Sequence, residues 1–479
     1  MISTTRTAAD LLPLLPELVL AGSAFALLML DLFLDERRRF VTHALAIAAL
    51  LGATAMVAFG VGGEGTALSE MFVRDTASNV IKTAIGATAA LSMAYLWPFL
   101  RDRGLYKGEV AVLVLFATLG MFLLASANSL VMVYLGLEML ALCSYALVAI
   151  DRDNGIASEA GIKYFVLGSL ASGLLLYGMS LIYGATGTLD LTTIAGFAGA
   201  EPSAMLITGA VFMLAGIAFK FGAAPFHMWL PDVYHGAPTA ITLFVGSAPK
   251  LATFAMAYRL LEVAAGPMDE RWRLMVALLA AASLAIGNLA AMVQSNFKRL
   301  LAYSTVSHVG FLLLGIAGGG SQGFAAGLFY AISYALMSVA AFGIIVVMAN
   351  RGYEADEIAD YRGLNARNPW MALLVLCVMA SLAGLPPFLG FWAKLAVIQA
   401  AVQGDMLWLA IVGVVFAVVG AYYYLRIVKA MYFDEPEGQP QPGTTHRPLK
   451  LVFGVNALAL LALGLAWNPI WAWCVRAFA

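Results

Sequence analysis

The chain has 479 residues, of which 62% are hydrophobic and 11% are charged, and its formal net charge is -1. A soluble protein of average composition carries about a quarter charged residues, so this composition is typical of a membrane protein. A nearly neutral chain has no general attraction to nucleic acid, and no nucleic-acid partner is expected.

Long apolar runs recur along the whole chain. A membrane-spanning helix needs roughly 20 apolar residues, and this length predicts fourteen spans. The predicted spans begin near Leu11, Phe40, Thr76, Gly108, Asn128, Ala157, Ser203, Pro238, Arg273, Arg299, Gln322, Asn368, Asp405 and Leu451. An even number of spans places both termini on the same side of the membrane.

Lysine and arginine are distributed unequally between the loops, and short cytoplasmic loops usually carry an excess of them. One set of alternate loops holds sixteen: Arg37, Arg38, Arg39, Arg101, Arg103, Lys107, Arg152, Lys298, Arg299, Arg351, Arg362, Arg367, Arg426, Lys429, Arg447 and Lys450. The opposite side holds five: Arg6, Arg74, Arg271, Arg273 and Arg476. This bias predicts that both termini lie outside the cytoplasm.

The remaining basic residues fall within the predicted spans. Three of these lie near span ends: Lys82, Lys163 and Arg259. We expect their long side chains to reach the membrane interface. Three lysines lie deeper: Lys220, Lys250 and Lys394.

These deep lysines and Glu138 are the predicted chemical groups. Each ionisable side chain at a helix centre costs roughly 2.5–3.5 kcal/mol, so four unpaired groups would cost about 10 kcal/mol. The lysines outnumber Glu138, so at least one is expected to be neutral and able to carry a proton. A static buried ion pair that fixes helix packing is the alternative.

A movable acid could control such a lysine. A carboxylate about 6 Å away favours the charged amine by about 3 kcal/mol at an effective dielectric of 20. Moving one charge against a membrane potential requires about 2.3 kcal/mol per 100 mV, which is similar. Glu138 is therefore predicted to act as a gate for proton transfer.

Glycine and proline interrupt the spans that carry the deep lysines. Lys220 precedes the run Phe-Gly-Ala-Ala-Pro-Phe-His at 221–227, Pro249 precedes Lys250, and the run Gly-Leu-Pro-Pro-Phe-Leu-Gly at 384–390 precedes Lys394. Broken spans free backbone carbonyls, and in transporters they mark ion paths. Ordinary kinks are the alternative.

The two strongest breaks fall in the seventh and twelfth spans. This spacing predicts an all-α membrane protein with two inverted five-helix repeats, spans four to eight and nine to thirteen, in which Lys220 and Lys394 occupy corresponding places. The chain is predicted to divide into four segments: 1–107, three N-terminal helices; 108–265, first repeat; 266–432, second repeat; 433–479, a cytoplasmic loop and the last helix.

Polar residues between Lys220 and Lys394 are candidates for a proton relay. His308 is the first of them, because histidine titrates near neutral pH. Tyr303, Tyr330 and Tyr334 are the others. A hydrogen-bonded packing role for His308 is the alternative.

Two sequence features that could indicate a cofactor site lack the surroundings or the spacing that such a site requires. Residues 60–65 match GxGxxG, but they follow a membrane helix and open no strand–turn–helix unit, so they are predicted to form a loop. The cysteines, Cys143, Cys377 and Cys474, lack CxxC spacing. We predict no metal or cofactor site in this chain.

Five motifs together resemble the antiporter-like membrane subunits of respiratory complex I. They cover the fourth to the thirteenth span and are as follows: Leu137-Glu138-Met139 with Ser144-Tyr145; 159–165; 220–231; 303–310; and 384–394. Within that family, the segments 15–20, 175–188 and 356–363 are similar to the branch called chain N. The sister chain M has a glutamate where this sequence has Lys394, and chain L continues into a long lateral helix.

The resemblance implies a subunit that moves protons as part of NADH:quinone oxidoreductase. Glu138 and Lys220 would form a half-channel from the cytoplasm, Lys250 a connection and Lys394 an exit, while Lys163 would modulate Lys220. NADH, FMN, iron–sulfur clusters and quinone would be bound by other subunits. Chains M, K and J and lipids would be the partners, in the inner membrane of a bacterium.

Three other functions remain open from the residues. A subunit of a multi-chain Na+/H+ antiporter would exchange cations without redox input. A proton-coupled carrier of an organic solute would need a substrate cavity, and a purely structural membrane anchor would tolerate alanine at all three deep lysines.

Overall fold

The computed structural model describes residues 8–199, 201–350, 352–436, 443–444 and 446–479. Arg6 and Arg351, which enter the count of loop charges, and part of the predicted loop after residue 433 lie outside these residues. The described chain is almost entirely helical, which confirms the predicted all-α fold.

The α-helices, in chain order, are α1 Leu15–Asp31, α2 Arg39–Ala58, α3 Thr76–Asp102, α4 Gly108–Ala125, α5 Leu130–Val148, α6 Gly155–Thr186, α7 Leu191–Ala198, α8 Ala204–Phe221, α9 Trp229–Gly236, α10 Thr239–Val245, α11 Ala248–Ala257, α12 Asp269–Met292, α13 Phe297–Gly318, α14 Gly320–Met348, α15 Leu364–Arg367, α16 Pro369–Ala383, α17 Leu389–Gln403, α18 Leu407–Tyr432, α19 Arg447–Leu465 and α20 Asn468–Arg476. Short 3-10 helices cover Ala8–Leu14, Glu36–Arg38, Gly266–Met268 and Ile358–Tyr361, and a π-helical turn covers Tyr258–Ala264.

Thirteen helical stretches of the described chain are long and apolar enough to cross a membrane. The remaining predicted span, the twelfth, corresponds to the shorter pair α16 and α17. Predicted and observed helix starts agree within a few residues, because a membrane span is defined by a long apolar run. The short helices α7, α15 and α20 were not predicted, since none has the length of a span.

A small hairpin follows α2. Its strands, β1 Gly65–Ala67 and β2 Phe72–Arg74, pair antiparallel with Thr66 opposite Val73. Of the predicted loop at residues 60–65, residues 60–64 form the connection between α2 and β1, and Gly65 is the first residue of β1. The hairpin leads directly into α3, whose N-terminus is capped by Asp75 through Ser78.

The predicted helix breaks are present. The seventh span divides into α8 and α9, where Gly222 ends α8 with φ +75°. The twelfth divides into α16 and α17, where Gly384 ends α16 with φ +82°. Glycine permits this left-handed conformation without a steric penalty. A third break separates α10 from α11 at Gly246 and Ser247, just before Pro249.

The breaks lie beside the most enclosed helices. The stretch Thr239–Ala264 and the helices α13 and α14 are buried along nearly their whole apolar length. The outer helices, such as α6 and α18, expose many large apolar side chains instead, as expected for a surface that faces lipid or other subunits. Lys250 and His308 therefore lie on the enclosed helices at the centre of the bundle.

Candidate functional site: buried lysines at helix breaks

Lys220 and Glu138 lie near each other without forming a contact pair. Lys220 is the penultimate residue of α8, half-buried, with its Nζ 6.0 Å from the centre of the Tyr145 ring. Glu138, on α5, acts on Lys220 electrostatically, but no ion pair within 4.0 Å joins them in the described chain. The Oε1 atom of Glu138 is buried and has no hydrogen-bond partner among the described residues. Within the described part of the chain, no hydrogen bond therefore fixes this carboxylate oxygen.

Lys163 instead lies near the surface, as predicted. Its Nζ donates to Asp232 at 2.8 Å and contacts Glu159 at 2.8 Å, and its side chain is 43% exposed. Asp232, on α9, also accepts from Arg299 at 3.2 Å. The ion pair between Lys163 and Asp232 connects α6 to α9, the second half of the broken seventh span.

Lys250 lies on the other side of the same break. It is 2% exposed, and its Nζ donates to the carbonyl of Phe221 at 2.7 Å and lies 5.6 Å from the Trp229 ring centre. The Trp229 indole donates to the carbonyl of Phe219 at 3.0 Å. Lys250 therefore satisfies the terminal carbonyl of α8, and Trp229 adds a second bond to the Phe219 carbonyl, which also accepts from the Gly222 N–H.

His308 is the centre of a buried polar cluster, in which both of its ring nitrogens are hydrogen-bonded. Its Nδ1 lies 2.7 Å from the hydroxyl of Tyr330 and its Nε2 lies 2.9 Å from that of Tyr424. The Tyr334 hydroxyl donates to Thr305 at 2.8 Å, and its ring centre is 4.9 Å from that of His308. We call these five residues the His308 cluster; they join α13, α14 and α18.

Part of this cluster was missed by the sequence prediction. Tyr424 belongs to the run Tyr422-Tyr423-Tyr424 in the thirteenth span. Tyr423 donates to Asn288 at 3.1 Å, and Asn288 donates to Ser307 at 2.8 Å. Three tyrosines inside one apolar span were the available signal. Tyr303, by contrast, is half-buried, and none of the described hydrogen bonds comes from its hydroxyl, so the structure does not place it in the cluster.

Lys394 lies beside the break of the twelfth span. It is 7% exposed, and its Nζ donates to the carbonyls of Leu382 at 3.0 Å and Ala383 at 2.9 Å. The amine is 5.1 Å from the ring centre of Phe311, one turn after His308 on α13. Lys394 also acts electrostatically on His308. The exit candidate is therefore adjacent to the His308 cluster.

The positions of Lys220 and Lys394 relative to the helix breaks differ from the prediction that the two lysines occupy corresponding places. Lys220 lies before its break, on α8, whereas Lys394 lies after its break, on α17. They do not occupy the same place relative to the breaks, because one precedes and the other follows the Pro-Phe step. The predicted inverted repeat itself stays a prediction.

Two of the expected interface side chains are buried instead. Lys82 is fully buried, with its Nζ 2.5 Å from Glu17, and Arg259 is 3% exposed, 2.9 Å from Asp75. Arg259 also donates to the carbonyl of Ala125. The prediction that these two side chains reach the interface is wrong, because neighbouring segments supply carboxylates to them.

A polar cavity of about 430 Å³ lies at the end of the bundle where α3, α10 and α13 meet. Glu354 accepts from Thr239 at 2.9 Å, and Lys298 and Arg103 lie 3.5 and 3.7 Å from its carboxylate. Lys298 is 3% exposed and also donates to the carbonyl of Ala237 at 2.9 Å. Burial alone raises the pKa of Glu354, but Lys298 and Arg103 outweigh it, so its pKa lies below the usual value.

We expect Glu354→Gln to lower the stability of the solubilised protein by about 1 kcal/mol at pH 7, because Lys298 loses its carboxylate. The lowered pKa means that the wild-type advantage is present above the unfolded pKa near 4.5 and is lost as the pH falls through the folded value. Thermal unfolding at pH 7 and pH 4 measures this difference. Glu36→Gln, at an exposed carboxylate, is the control; equal unfolding temperatures for both variants at pH 7 would contradict the prediction.

The chain matches known proteins over most of its length. Residues 127–420 match the family model described as NADH:quinone oxidoreductase/Mrp antiporter, TM. A protein named NADH-quinone oxidoreductase subunit N, from Xanthomonas euvesicatoria pv. vesicatoria (strain 85-10), is 65% identical over 99% of this chain and 97% of its own length. A protein of the same name from Thioalkalivibrio sulfidiphilus (strain HL-EbGR7) is 47% identical over 95% and 96%.

Solved structures agree with this relation. A chain in respiratory complex I from Thermus thermophilus with bound aureothin is 33% identical, with a TM-score of 0.81 over 95% of this chain and 98% of that chain. A chain of the Mrp complex from Dietzia sp. DQ12-45-1b has a TM-score of 0.84 over 99% and 97% at 24% identity, which shows a shared fold. This chain therefore belongs to the family of NADH-quinone oxidoreductase subunit N, among the membrane subunits of the NADH:quinone oxidoreductase and Mrp antiporter group.

Proposed function

We propose that this chain translocates protons as a membrane-arm subunit of NADH:quinone oxidoreductase, through Glu138, Lys220, Lys250 and Lys394. The proposal depends on one arrangement. Lys250 and Lys394 are buried lysines whose amines bind carbonyls at helix breaks, and the His308 cluster packs beside Lys394. No redox centre is assigned to this chain; NADH, FMN, iron–sulfur clusters and quinone belong to other subunits.

The helix breaks supply a reason for lysines at these points. The C-terminal carbonyls of α8 and α16 carry the negative end of each helix dipole, which stabilises a charged amine. Burial has the opposite effect, because it disfavours the charged form. Opposing contributions of this kind permit an amine to gain or lose a proton when a nearby charge moves.

Glu138 is the group that we assign to this switching role. Its unpartnered Oε1 atom and its electrostatic action on Lys220 mean that a small displacement changes the field at the amine. We infer that quinone reduction elsewhere in the complex alters the electrostatics near Glu138, and that a proton then passes from Lys220 through Lys250 and His308 to Lys394. Lys163 modulates Lys220 through its pairing with Asp232.

The location and partners follow from the same proposal. We place the chain in the bacterial inner membrane with both termini on the periplasmic side, in contact with chains M, K and J and with lipids. Segments 1–107, 108–265, 266–432 and 433–479 are proposed as its structural units, the middle two as inverted repeats. The distribution of loop lysine and arginine supports the sidedness.

The proposal is tested by NADH-driven proton pumping in membrane vesicles that carry Lys220→Ala or Lys394→Ala. We expect both substitutions to reduce pumping strongly, because each removes an amine that must carry the proton. Lys429→Ala, at a side chain that is 70% exposed, is the matched control and should pump normally. Full pumping in both test variants contradicts the path, and cation exchange without NADH would favour the Na+/H+ antiporter instead.

A further inference from the structure

The path has an interval between Lys250 and the His308 cluster that no described hydrogen bond crosses. On one side, the Lys250 amine donates to the Phe221 carbonyl. On the other side, Tyr334 of the cluster donates to Thr305, and Ser338, one turn further along α14, donates to the carbonyl of Gly246. A proton that follows this route needs a further polar group in the interval.

Tyr234 lies in this interval. It is fully buried on α9, the second half of the broken seventh span. Its ring contacts Trp229 edge-to-face at 6.3 Å, and the Trp229 ring is the one that lies under the Lys250 amine. A Cβ on Gly246 would be 3.3 Å from the Tyr234 ring, so the ring packs directly against the break between α10 and α11.

Tyr234 also packs against α14, the helix that carries Tyr334, with its ring centre 5.7 Å from that of Phe342. Ser338 donates to the carbonyl of Gly246 at 3.1 Å, and Tyr334 precedes Ser338 by one turn on α14. Tyr334 and Tyr164 are the titratable groups that interact electrostatically with Tyr234. Tyr234 is thus placed between the Lys250 side and the Tyr334 side of the path.

The hydroxyl of Tyr234 has no hydrogen-bond partner among the described residues. Buried hydroxyls are almost always hydrogen-bonded, and an exception requires an explanation. Phenylalanine would fill the same space without burying a polar atom. Packing therefore accounts for the ring of Tyr234 and not for its oxygen.

We propose that the Tyr234 hydroxyl, together with bound water, is the relay group that connects Lys250 to the His308 cluster. In this step the Lys250 ammonium loses one N–H proton to a water, which passes a proton to the phenol oxygen while the phenol gives its own proton to the next acceptor towards Tyr334. The phenol regains its original state, so that one proton moves and no group is consumed. This inference rests on the proposed proton path.

The test is NADH-driven pumping in vesicles that contain the complete complex with Tyr234→Phe. We expect normal assembly and an unchanged unfolding temperature, since only an unpartnered hydroxyl is removed, and roughly tenfold slower proton translocation. Tyr95→Phe is the matched control, because Tyr95 is also fully buried and its hydroxyl is away from the path, near Asn456. The complex with Tyr95→Phe should translocate protons at the wild-type rate.

Two further arms separate the possible results. 3-Fluorotyrosine at position 234 keeps the hydroxyl and the shape but makes the phenol more acidic, so it should shift the pH profile of pumping, whereas a packing role would leave the profile unchanged. Lys250→Ala tests the path itself. Slow pumping in Lys250→Ala with normal pumping in Tyr234→Phe overturns the role of Tyr234 alone, and normal pumping in both overturns the path.

Discussion

Replacing Lys82 with methionine is expected to destabilise the protein by about 3–5 kcal/mol, because it leaves the Glu17 carboxylate buried without the ammonium that pairs with it. The two groups lie 2.5 Å apart, with side chains 0% and 3% exposed. Neither makes a further hydrogen bond with a described residue, so each depends on the other. The Lys82 amine is also 4.7 Å from the ring centre of Phe72 on β2. The ion pair between Glu17 and Lys82 therefore links α1 to α3.

The matched control for this prediction is the double variant Glu17→Leu with Lys82→Met. Removing both charges avoids an unpaired ion, so we expect its stability to equal or exceed that of the wild-type protein by about 1–4 kcal/mol. Thermal unfolding of the solubilised protein measures both. A single variant as stable as the double variant would show that the pair is not held away from water as the structure indicates.

Gly464→Ala is expected to destabilise the break that carries Lys394. A Cβ at this position of α19 would lie 2.2 Å from the carbonyl oxygen of Pro387 and 2.6 Å from the backbone nitrogen of Leu389. Both atoms belong to the backbone between α16 and α17, which cannot rotate away as a side chain can. We expect a loss of about 1–3 kcal/mol of stability, together with reduced pumping, since the carbonyls that bind Lys394 would shift.

Gly454→Ala on the same helix provides the control. Its Cβ would meet only the Cδ1 atom of Leu374 at 3.7 Å, which is ordinary van der Waals contact. Alanine also favours a helix over glycine by up to about 1 kcal/mol, so this variant should be as stable as the wild type or slightly more so. Stability and pumping are measured for both variants. If the two behave alike, close packing at Gly464 does not support the break.

Much of the fold could be predicted because the bilayer imposes a strong rule on the sequence. A span requires an apolar run of nearly fixed length, so helix starts such as those of α3 and α4 could be read directly from the residues. Glycine and proline inside such a run interrupt backbone hydrogen bonding wherever the helix lies. The helix breaks after Lys220 and before Lys394 could therefore be predicted from the sequence alone.

Partners across the bundle could not be predicted in this way. Glu17 lies 65 positions before Lys82, and Tyr424 lies 116 positions after His308. Local patterns carry no information on which helices become neighbours. For this reason Lys82 and Arg259 were expected at the interface, and Tyr303 was expected in the relay in place of Tyr424.

The amino-acid sequence by itself determined that this is a helical membrane protein with amines deep in its spans and with backbone breaks beside them, because apolar length, charge and the geometry of glycine and proline are properties of single residues and short runs. Only the tertiary structure decided which carbonyl each amine binds, which carboxylates neutralise Lys82 and Arg259, and where Tyr234 places its hydroxyl. Those outcomes depend on the packing of helices that are distant along the chain, and in the low-dielectric interior the packing sets the electrostatic energy of every buried charge.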